Sequence, residues 1–418
     1  MQLMWSKNNS SDIENYNMTK KKQTVVLAYS GGLDTTYTAK YLSVEKEMDV
    51  ISVVANTGGF DNDQLSKIEQ RAKELGVKEH VALNIEKEYY QDCLRFLIYG
   101  NILKNNTYPL SVSSERFFQA KAIAKYAQQV DADFISHGCT AAGNDQVRFD
   151  LVFKLMVPEK PIIALVRDKK LLRDAEISYL RKHGVTSDFT KMAYSINEGL
   201  WGTSIGGKET LTSHLPLPAE AFPSQPKRTE PLEMEIHFSK GELIGIDQLR
   251  FDHQVDMIRY LNKAGGEFAI GRGMHVGDTI IGSKGRVGFE APAAYLLLKA
   301  HHELEKHTLT KWQMQWKEQL ANWYGTMLHD GMYLEPTMRN VEHFLEDTQA
   351  HVTGTVKLVL SPFYFQVSGI HSEFDLMNPA FGAYGEAAGK WSAEDVKGFI
   401  NILANPLKNY YAVNPQEL

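Results

Sequence analysis

A chain of 418 residues is longer than one hydrophobic core usually serves, so two domains are expected. Hydrophobic residues at 43% and charged residues at 23% give an ordinary soluble balance, and a net charge of -6 argues against a polyanionic partner such as nucleic acid. Two cysteines, Cys93 and Cys139, stand in no C-x-x-C or zinc spacing, which sets disulfides aside and fits a reducing, cytoplasmic compartment.

In chain order, residues 1–22 are polar and rich in Asn and Ser, with a basic tract at Lys20, Lys21 and Lys22. They read as a disordered tail without the apolar core of a signal peptide, and Met18 is as good a start as Met1. Residues 24–29 have the composition of a buried strand, and Leu33, Tyr37 and Tyr41 then recur at helical spacing. Residues 50–55 form a second strand, followed by a helix with Leu65, Ile68, Ala72 and Leu75 on one face. Further strands are expected at 80–85, 133–137 and 161–166, with a helix over 115–129. This alternation predicts an α/β, doubly wound parallel-sheet nucleotide-binding domain over 23–190, with ligands beyond the carboxyl ends of its strands.

Five prolines fall within residues 215–231, and beyond them the pattern changes. A hairpin turns at Lys240-Gly241, Val255, Ile258 and Leu261 line a helix, and strands are expected at 278–281, 355–360 and 364–368. A long helical region spans 291–328, and residues 393–403 form a terminal helix. An α+β domain over 191–390 and a C-terminal helix and tail over 391–418 follow from this. No run of about 18 apolar residues marks a membrane span.

The sharpest local signal is Ser30-Gly-Gly-Leu-Asp-Thr-Thr36, between the first strand and the first helix. Two glycines let the backbone approach an anion, the helix N-terminus faces it, and three hydroxyls can donate to it. Asp34 either caps the helix or holds a magnesium ion against phosphates. The plain alternative is a capped strand-to-helix turn. Neither G-x-x-x-x-G-K-[ST] nor G-x-G-x-x-G occurs, which excludes a P-loop and a dinucleotide fingerprint.

Ser-Gly-Gly-x-Asp-[Ser/Thr] in this position resembles the pyrophosphate loop of N-type ATP pyrophosphatases, which cleave ATP between the α and β phosphates. Lack of an N-terminal glutaminase Cys and of a redox Cys pair weakens the amidotransferase and tRNA-thiolating members. Three further stretches resemble the argininosuccinate synthase family. They are His137-Gly-Cys-Thr-Ala-Ala-Gly-Asn-Asp-Gln-Val-Arg-Phe149, Tyr194-Ser-Ile-Asn-Glu-Gly-Leu-Trp-Gly-Thr-Ser204, and Gly271-Arg272 with Glu290-Ala-Pro292. With Ala28-Tyr-Ser-Gly-Gly-Leu-Asp-Thr35, the likeness runs from about Thr24 to Asn409.

The resemblance implies an ATP-dependent carbon–nitrogen ligase that joins citrulline to aspartate, releases AMP and pyrophosphate, and serves arginine biosynthesis. ATP as co-substrate, Mg2+ and a homotetramer come with it, and the second domain becomes a synthetase domain. Position by position, Ala28, Tyr29, Ser30, Gly31, Gly32, Leu33, Asp34, Thr35, Thr36, Ala55 and Gly138 align with the nucleotide site. Thr140, Asn144 and Asp145 align with aspartate contacts, and Asn144 and Arg148 with citrulline. Tyr108, Ser113, Ser195 and Ser204 align with further citrulline contacts, and Arg116 is a substrate-binding candidate. Asp34, Asn144, Asp145 and Arg148 are the residues expected to carry the chemistry. In isolation Asp145 and Arg148 would read as a helix-face ion pair, Cys139 reads as a small packed residue, and His137 as structural. A tRNA-modifying adenylating enzyme and a non-catalytic relative of the fold are the competing readings.

Two departures bear on the substrate. Gly277 stands where the family has a Glu for the citrulline α-amino group, and Phe289 stands where it has an amino-binding Tyr. A lysine of the family motif is also replaced, by Ala142. An ammonium without partners is costly to bury, so the α-amine is expected to arrive acylated, as N-acetyl- or N-succinylcitrulline. The alternatives are that Asp278 or Glu290 takes the role, or that the alignment slips here.

Overall fold

A computed structural model describes residues 22–186, 194–377 and 391–417. The expected tail over 1–22 lies, apart from Lys22, outside the described residues. The chain divides into two compact units, one of Met1–Ile85 with Arg116–Met192, the other of Glu86–Glu115 with Ala193–Leu418. Sequence periodicity placed a single boundary near residue 190; the excursion 86–115 instead clusters with the second unit.

In the first unit five parallel strands lie in the order β3-β2-β1-β4-β5: β1 Thr24–Ala28, β2 Asp49–Asn56, β3 Glu79–Asn84, β4 Phe134–Ser136 and β5 Ile162–Ile163. β1 is buried over Val25, Val26, Leu27 and Ala28, as a central strand covered on both faces requires. The chain runs outward from β1 to β3 and then returns to β1's other side at β4. The topological switch point therefore falls between the carboxyl ends of β1 and β4, where such sheets bind ligands. Strand 161–166 was expected longer; it ends at Ile163, and Leu165–Asp168 turns into a helix that buries Leu165 and Val166.

The helix Asn62–Glu74 opens with a capping box, Asp61 and Gln64 exchanging hydrogen bonds. The helix Leu33–Val44 has Gly32 as N-cap and no side-chain cap. Its leading N–H groups are thus left for a ligand or water.

The second unit carries two four-stranded sheets. One has the order β10-β11-β7-β6, from β6 Ser195–Asn197, β7 Thr203–Gly206, β10 Arg272–Asp278 and β11 Lys284–Glu290. The other, β13-β12-β8-β9, is built from β8 Leu232–Ser239, β9 Glu242–Ile246, β12 Gly354–Ser361 and β13 Tyr364–His371. The expected strand over 278–281 is corrected: the strand ends at Asp278 and residues 279–283 are its turn, closed by Thr279 N–H to the Ser283 carbonyl at 2.8 Å. The long helical region is two helices, Pro292–Thr308 and Lys311–His329, because Thr310 starts the second with a capping box to Gln313.

Candidate active site

In the first unit the nucleotide-side residues gather at the switch point. Gly31 adopts φ 74°, the left-handed region that glycine enters without penalty, and turns the chain out of β1. The Gly32 N–H points to Ser30 Oγ at 3.4 Å, and Thr35 Oγ1 donates to the Gly32 carbonyl at 3.2 Å, so the loop is pre-shaped. Arg71, from the helix Asn62–Glu74, donates to the Gly31 carbonyl. Nothing in the local motif pointed to that arginine, forty residues away.

Gly138, just past β4, lies against this loop. A Cβ added there would stand 2.8 Å from Thr35 Cγ2, 3.0 Å from the Thr35 nitrogen and 3.1 Å from the Asp34 carbonyl carbon. Ala28, Tyr29, Leu33, Thr36 and Ala55 are buried around the same strand ends.

Asp34 is not the helix cap; Gly32 occupies that position, and the Asp34 carboxyl is hydrogen-bonded to Glu176 instead. Burial pushes both acids up, and the neighbouring Asp34 charge helps carry Glu176 to about 8. Two carboxyls this close share a proton. Glu176 was not singled out by sequence, since it lies in a separate helix, Arg173–Lys182. Among the described residues no group of three or more His, Cys, Asp or Glu side chains could hold a metal ion. One carboxylate beside hydroxyls fits a magnesium ion ligated chiefly by phosphate oxygens and water, not a protein cage.

The second cluster of this unit is a charged triad. Asp145 opens the helix Asp145–Met156, with Asn144 as its N-cap residue. Asp145 accepts from Arg116 Nε at 2.9 Å and from Arg148 Nη1 at 2.8 Å. The i, i+3 pair expected of an ordinary helix is therefore present, and Arg116 joins it from another helix. Arg148 is only 3% exposed while the Asp145 side chain is 39% exposed, so the acid borders solvent and the base is packed behind it. The surrounding protein raises the Asp145 carboxyl, and the two guanidiniums more than offset this and hold it below the usual range.

Thr140 is exposed in the preceding loop, where Gln146 Nε2 donates to the Gly143 carbonyl at 3.3 Å. His137 is engaged on both nitrogens, Nε2 with Asp150 Oδ1 at 2.8 Å and Nδ1 with the Cys139 N–H at 3.1 Å. That geometry makes it a turn support. Burial, with Asp145 next, pushes the Cys139 thiol up to about 12.

In the second unit a different set converges. Tyr108 hydroxyl lies 3.2 Å from Ser204 Oγ and accepts from Ser111 Oγ at 3.1 Å. Ser111 was not singled out by sequence; its place one turn ahead of Ser114 gave no signal. Ser113 donates to the Leu110 carbonyl at 3.1 Å. Ser195 is exposed on β6, two registers along the β6–β7 ladder from the Asn197–Ser204 pair.

Phe289 of β11 is fully buried and pairs with Ser204 on one side and Gly273 on the other. Paired residues share a face, so Ser204, Phe289 and Gly273 form one row, continued along β10 by His275 and Gly277. Tyr108 packs on this row, its ring 5.7 Å from Phe289 and 5.2 Å from His275.

The two acids that were candidates for the missing amine contacts are committed elsewhere. Glu290 Oε2 pairs with Arg272 Nε at 3.0 Å, and its other oxygen accepts from the Ser224 N–H at 3.2 Å. Asp278 alternates to the opposite face from Gly277 and pairs with Lys284 at 2.5 Å. Glu115, a turn beyond Ser111, is buried against Gly199.

Residues 24–186 match the family described as the arginosuccinate synthase N-terminal HUP domain, and 194–410 match the arginosuccinate synthase C-terminal domain. The chain is 34% identical to argininosuccinate synthase of Dictyoglomus thermophilum over 392 residues, covering 93% of this chain and 97% of that protein. It is 34% identical to that of Methanocaldococcus jannaschii over 368 residues, 87% and 92% of the two chains. With the Staphylococcus carnosus enzyme the identity is 33% over 390 residues, 92% and 96%. The two family models together span both units, and the relatives match over most of their length: the chain belongs to the argininosuccinate synthase family of ATP-dependent carbon–nitrogen ligases.

Proposed function

We propose that this ligase joins an Nα-acylated citrulline to aspartate. The observation that carries the acyl part is the fate of the acids around Gly277 and Phe289. The Glu and Tyr that the family directs at an ammonium are absent, Glu290 is bound to Arg272 and Ser224, and Asp278 faces away with Lys284. A free α-ammonium would meet aromatic rings and an imidazole on this face, a poor exchange for its water.

The chemistry follows from the residue types. The ureido oxygen attacks the α-phosphorus of ATP, pyrophosphate leaves, and the aspartate amine then displaces AMP. The open N–H groups after Gly32 and the hydroxyls of Ser30 and Thr35 suit the leaving pyrophosphate. A magnesium ion held beside Asp34 would supply charge neutralisation there. Asp145, poised by Arg116 and Arg148, suits the amine of aspartate, while Thr140 and Asn144 suit its carboxylates. Tyr108, Ser113, Ser195 and Ser204 offer hydroxyls to the citrulline carboxylate and ureido group. Most of the rate then comes from aligning three substrates and neutralising phosphate charge.

A homotetramer is part of the same reading. No described residue of the C-terminal helices Ala393–Leu403 and Asn405–Val413 is buried, although Phe399, Ile402, Leu403 and Leu407 are large and apolar. A second copy is the natural cover for such a face.

The test is aspartate-dependent pyrophosphate release with ATP and magnesium, comparing citrulline with its N-acetyl and N-succinyl derivatives. The acyl reading expects turnover with an acylated substrate and at least about a tenfold lower kcat/KM with free citrulline, the scale of one lost charge-assisted contact. Preference for free citrulline would overturn it and leave the ligase reading standing.

A further inference from the structure

The charged triad of Asp145, Arg116 and Arg148 continues into two further polar side chains of the first unit, Gln119 and Thr57. Arg116 and Gln119 stand at i, i+3 on the helix Ser111–Gln129, so their side chains meet on one face. Arg116 Nε donates to Asp145 Oδ2 at 2.9 Å, and Arg116 Nη1 donates to Gln119 Oε1, also at 2.9 Å. Gln119 Nε2 in turn donates to Thr57 Oγ1 at 3.3 Å.

The chemistry of the groups fixes the direction of this line of hydrogen bonds. A guanidinium only donates, so the glutamine turns its oxygen to Arg116 and has its NH2 left for Thr57. Thr57 is buried and follows directly on β2, which ends at Asn56. The Asn56 side chain clasps the turn beyond it. Its Oδ1 accepts from the Gly58 N–H at 2.9 Å and the Phe60 N–H at 3.3 Å, and its Nδ2 donates to the Phe60 carbonyl at 3.1 Å. One end of the line is therefore pinned to a strand end by main-chain contacts, and the other end is the Asp145 carboxylate at the border of solvent. Arg116 between them is a long side chain with many rotamers, and one ion pair leaves it free to pivot. With Nε on Asp145 and Nη1 on Gln119, its planar guanidinium is held at two points and keeps one pose.

Resting on the assignment of Asp145 to the aspartate amine, we propose that Gln119 is a positioning residue for the second half of the reaction. Held by Thr57, it fixes the Arg116 guanidinium, and Arg116 fixes the carboxylate against which the amine of aspartate is placed. Transfer of the ureido oxygen to the α-phosphorus does not call on this line, because the phosphate loop has its own anchors in Ser30, Thr35 and Arg71.

The experiment uses the full chain and, among free, N-acetyl- and N-succinylcitrulline, the form that it turns over best. One readout is aspartate-dependent pyrophosphate release. The other is exchange of labelled pyrophosphate into ATP without aspartate, which reports adenylation and its reversal alone. Gln119→Leu should lower kcat/KM for aspartate about tenfold and change the exchange rate by less than about twofold. Thr57→Val should act in the same direction by about two- to threefold, and the double variant should be no worse than Gln119→Leu alone, since both act through one contact. Asp145→Asn is the reference and should lower the aspartate value at least as far as Gln119→Leu does. Unaltered aspartate kinetics in Gln119→Leu beside an impaired Asp145→Asn would overturn the positioning role alone. Equal losses in both readouts would overturn it too, by making Gln119 a residue of the fold. If Asp145→Asn left the aspartate value unchanged, the assignment of Asp145 would fall and the role of Gln119 with it.

Discussion

Gly138 concentrates the demands of the phosphate loop in one missing side chain. Its Cα faces Thr35 so closely that an added methyl would meet backbone atoms of the loop at 3.0 Å and 3.1 Å. A flexible neighbour would yield cheaply, but here the neighbour is main chain at the start of the helix Leu33–Val44. Gly138→Ala is therefore expected to shift the loop by tenths of an ångström to an ångström. Misplacement on that scale costs about a hundredfold in rate. The expected result is a kcat/KM for ATP lowered about ten- to a hundredfold, with thermal melting little changed because the sheet core is untouched. An unaltered ATP dependence would show that the loop does not carry the reacting phosphates. Arg71 gives the loop its other anchor, and its grip on the Gly31 carbonyl explains how two adjacent glycines can hold one shape.

At the scale of elements, the register of the hairpin β10–β11 decides which of its side chains share a face. Gly273, His275 and Gly277 share a face only because β10 stays in step with β11 from Arg272 opposite Glu290 to Asp278 opposite Lys284. Restoring the family's acid by Gly277→Glu alone would drive the new Cβ into His275 Nε2. The pair His275→Ala with Gly277→Glu removes that obstacle, and its expected effect is a shift of the kcat/KM ratio toward free citrulline by about tenfold or more. An unchanged ratio would mean that this face does not read the α-amino group.

The same hairpin shows what the sequence could and could not disclose. The departures at Gly277 and Phe289 stand in the sequence itself, and so do the Gly-Gly loop after the first strand and the central strands, whose apolar runs have no other use. The strand β10 was misplaced toward residues 278–281 because Gly273, His275 and Gly277 break the apolar alternation that marks a strand. Arg116 joining Asp145, Arg71 on the loop and Glu176 beside Asp34 were hidden for a different reason. Each pairing links separate helices, and a single chain carries no periodicity that reports such contacts. The fate of Asp278 and Glu290 was likewise undecidable until strand alternation put both on the face opposite Gly277 and Phe289, each in an ion pair with its own base.

At the scale of the whole molecule, the described residues leave two apolar surfaces exposed. Beyond the C-terminal helices, Trp312, Trp316 and Trp323 stand 66%, 59% and 65% exposed along the helix Lys311–His329. Spacings of four and seven residues put all three on one stripe. Fully burying a large apolar side chain contributes roughly 1.5–3 kcal/mol. Half-covering the eight exposed apolar residues from Val396 to Val413 would then contribute on the order of 10 kcal/mol per chain, before the entropy of association is charged against it. Removing residues 391–418 should therefore lower the mass measured by light scattering below that of the intact protein, with the far-ultraviolet dichroism of the remaining elements preserved. No described residue of those helices is buried, so their loss should cost little intrinsic folding stability. If the truncated protein kept the full mass, the helices would not be assembly elements, and the tryptophan stripe would be left as the surface through which copies meet.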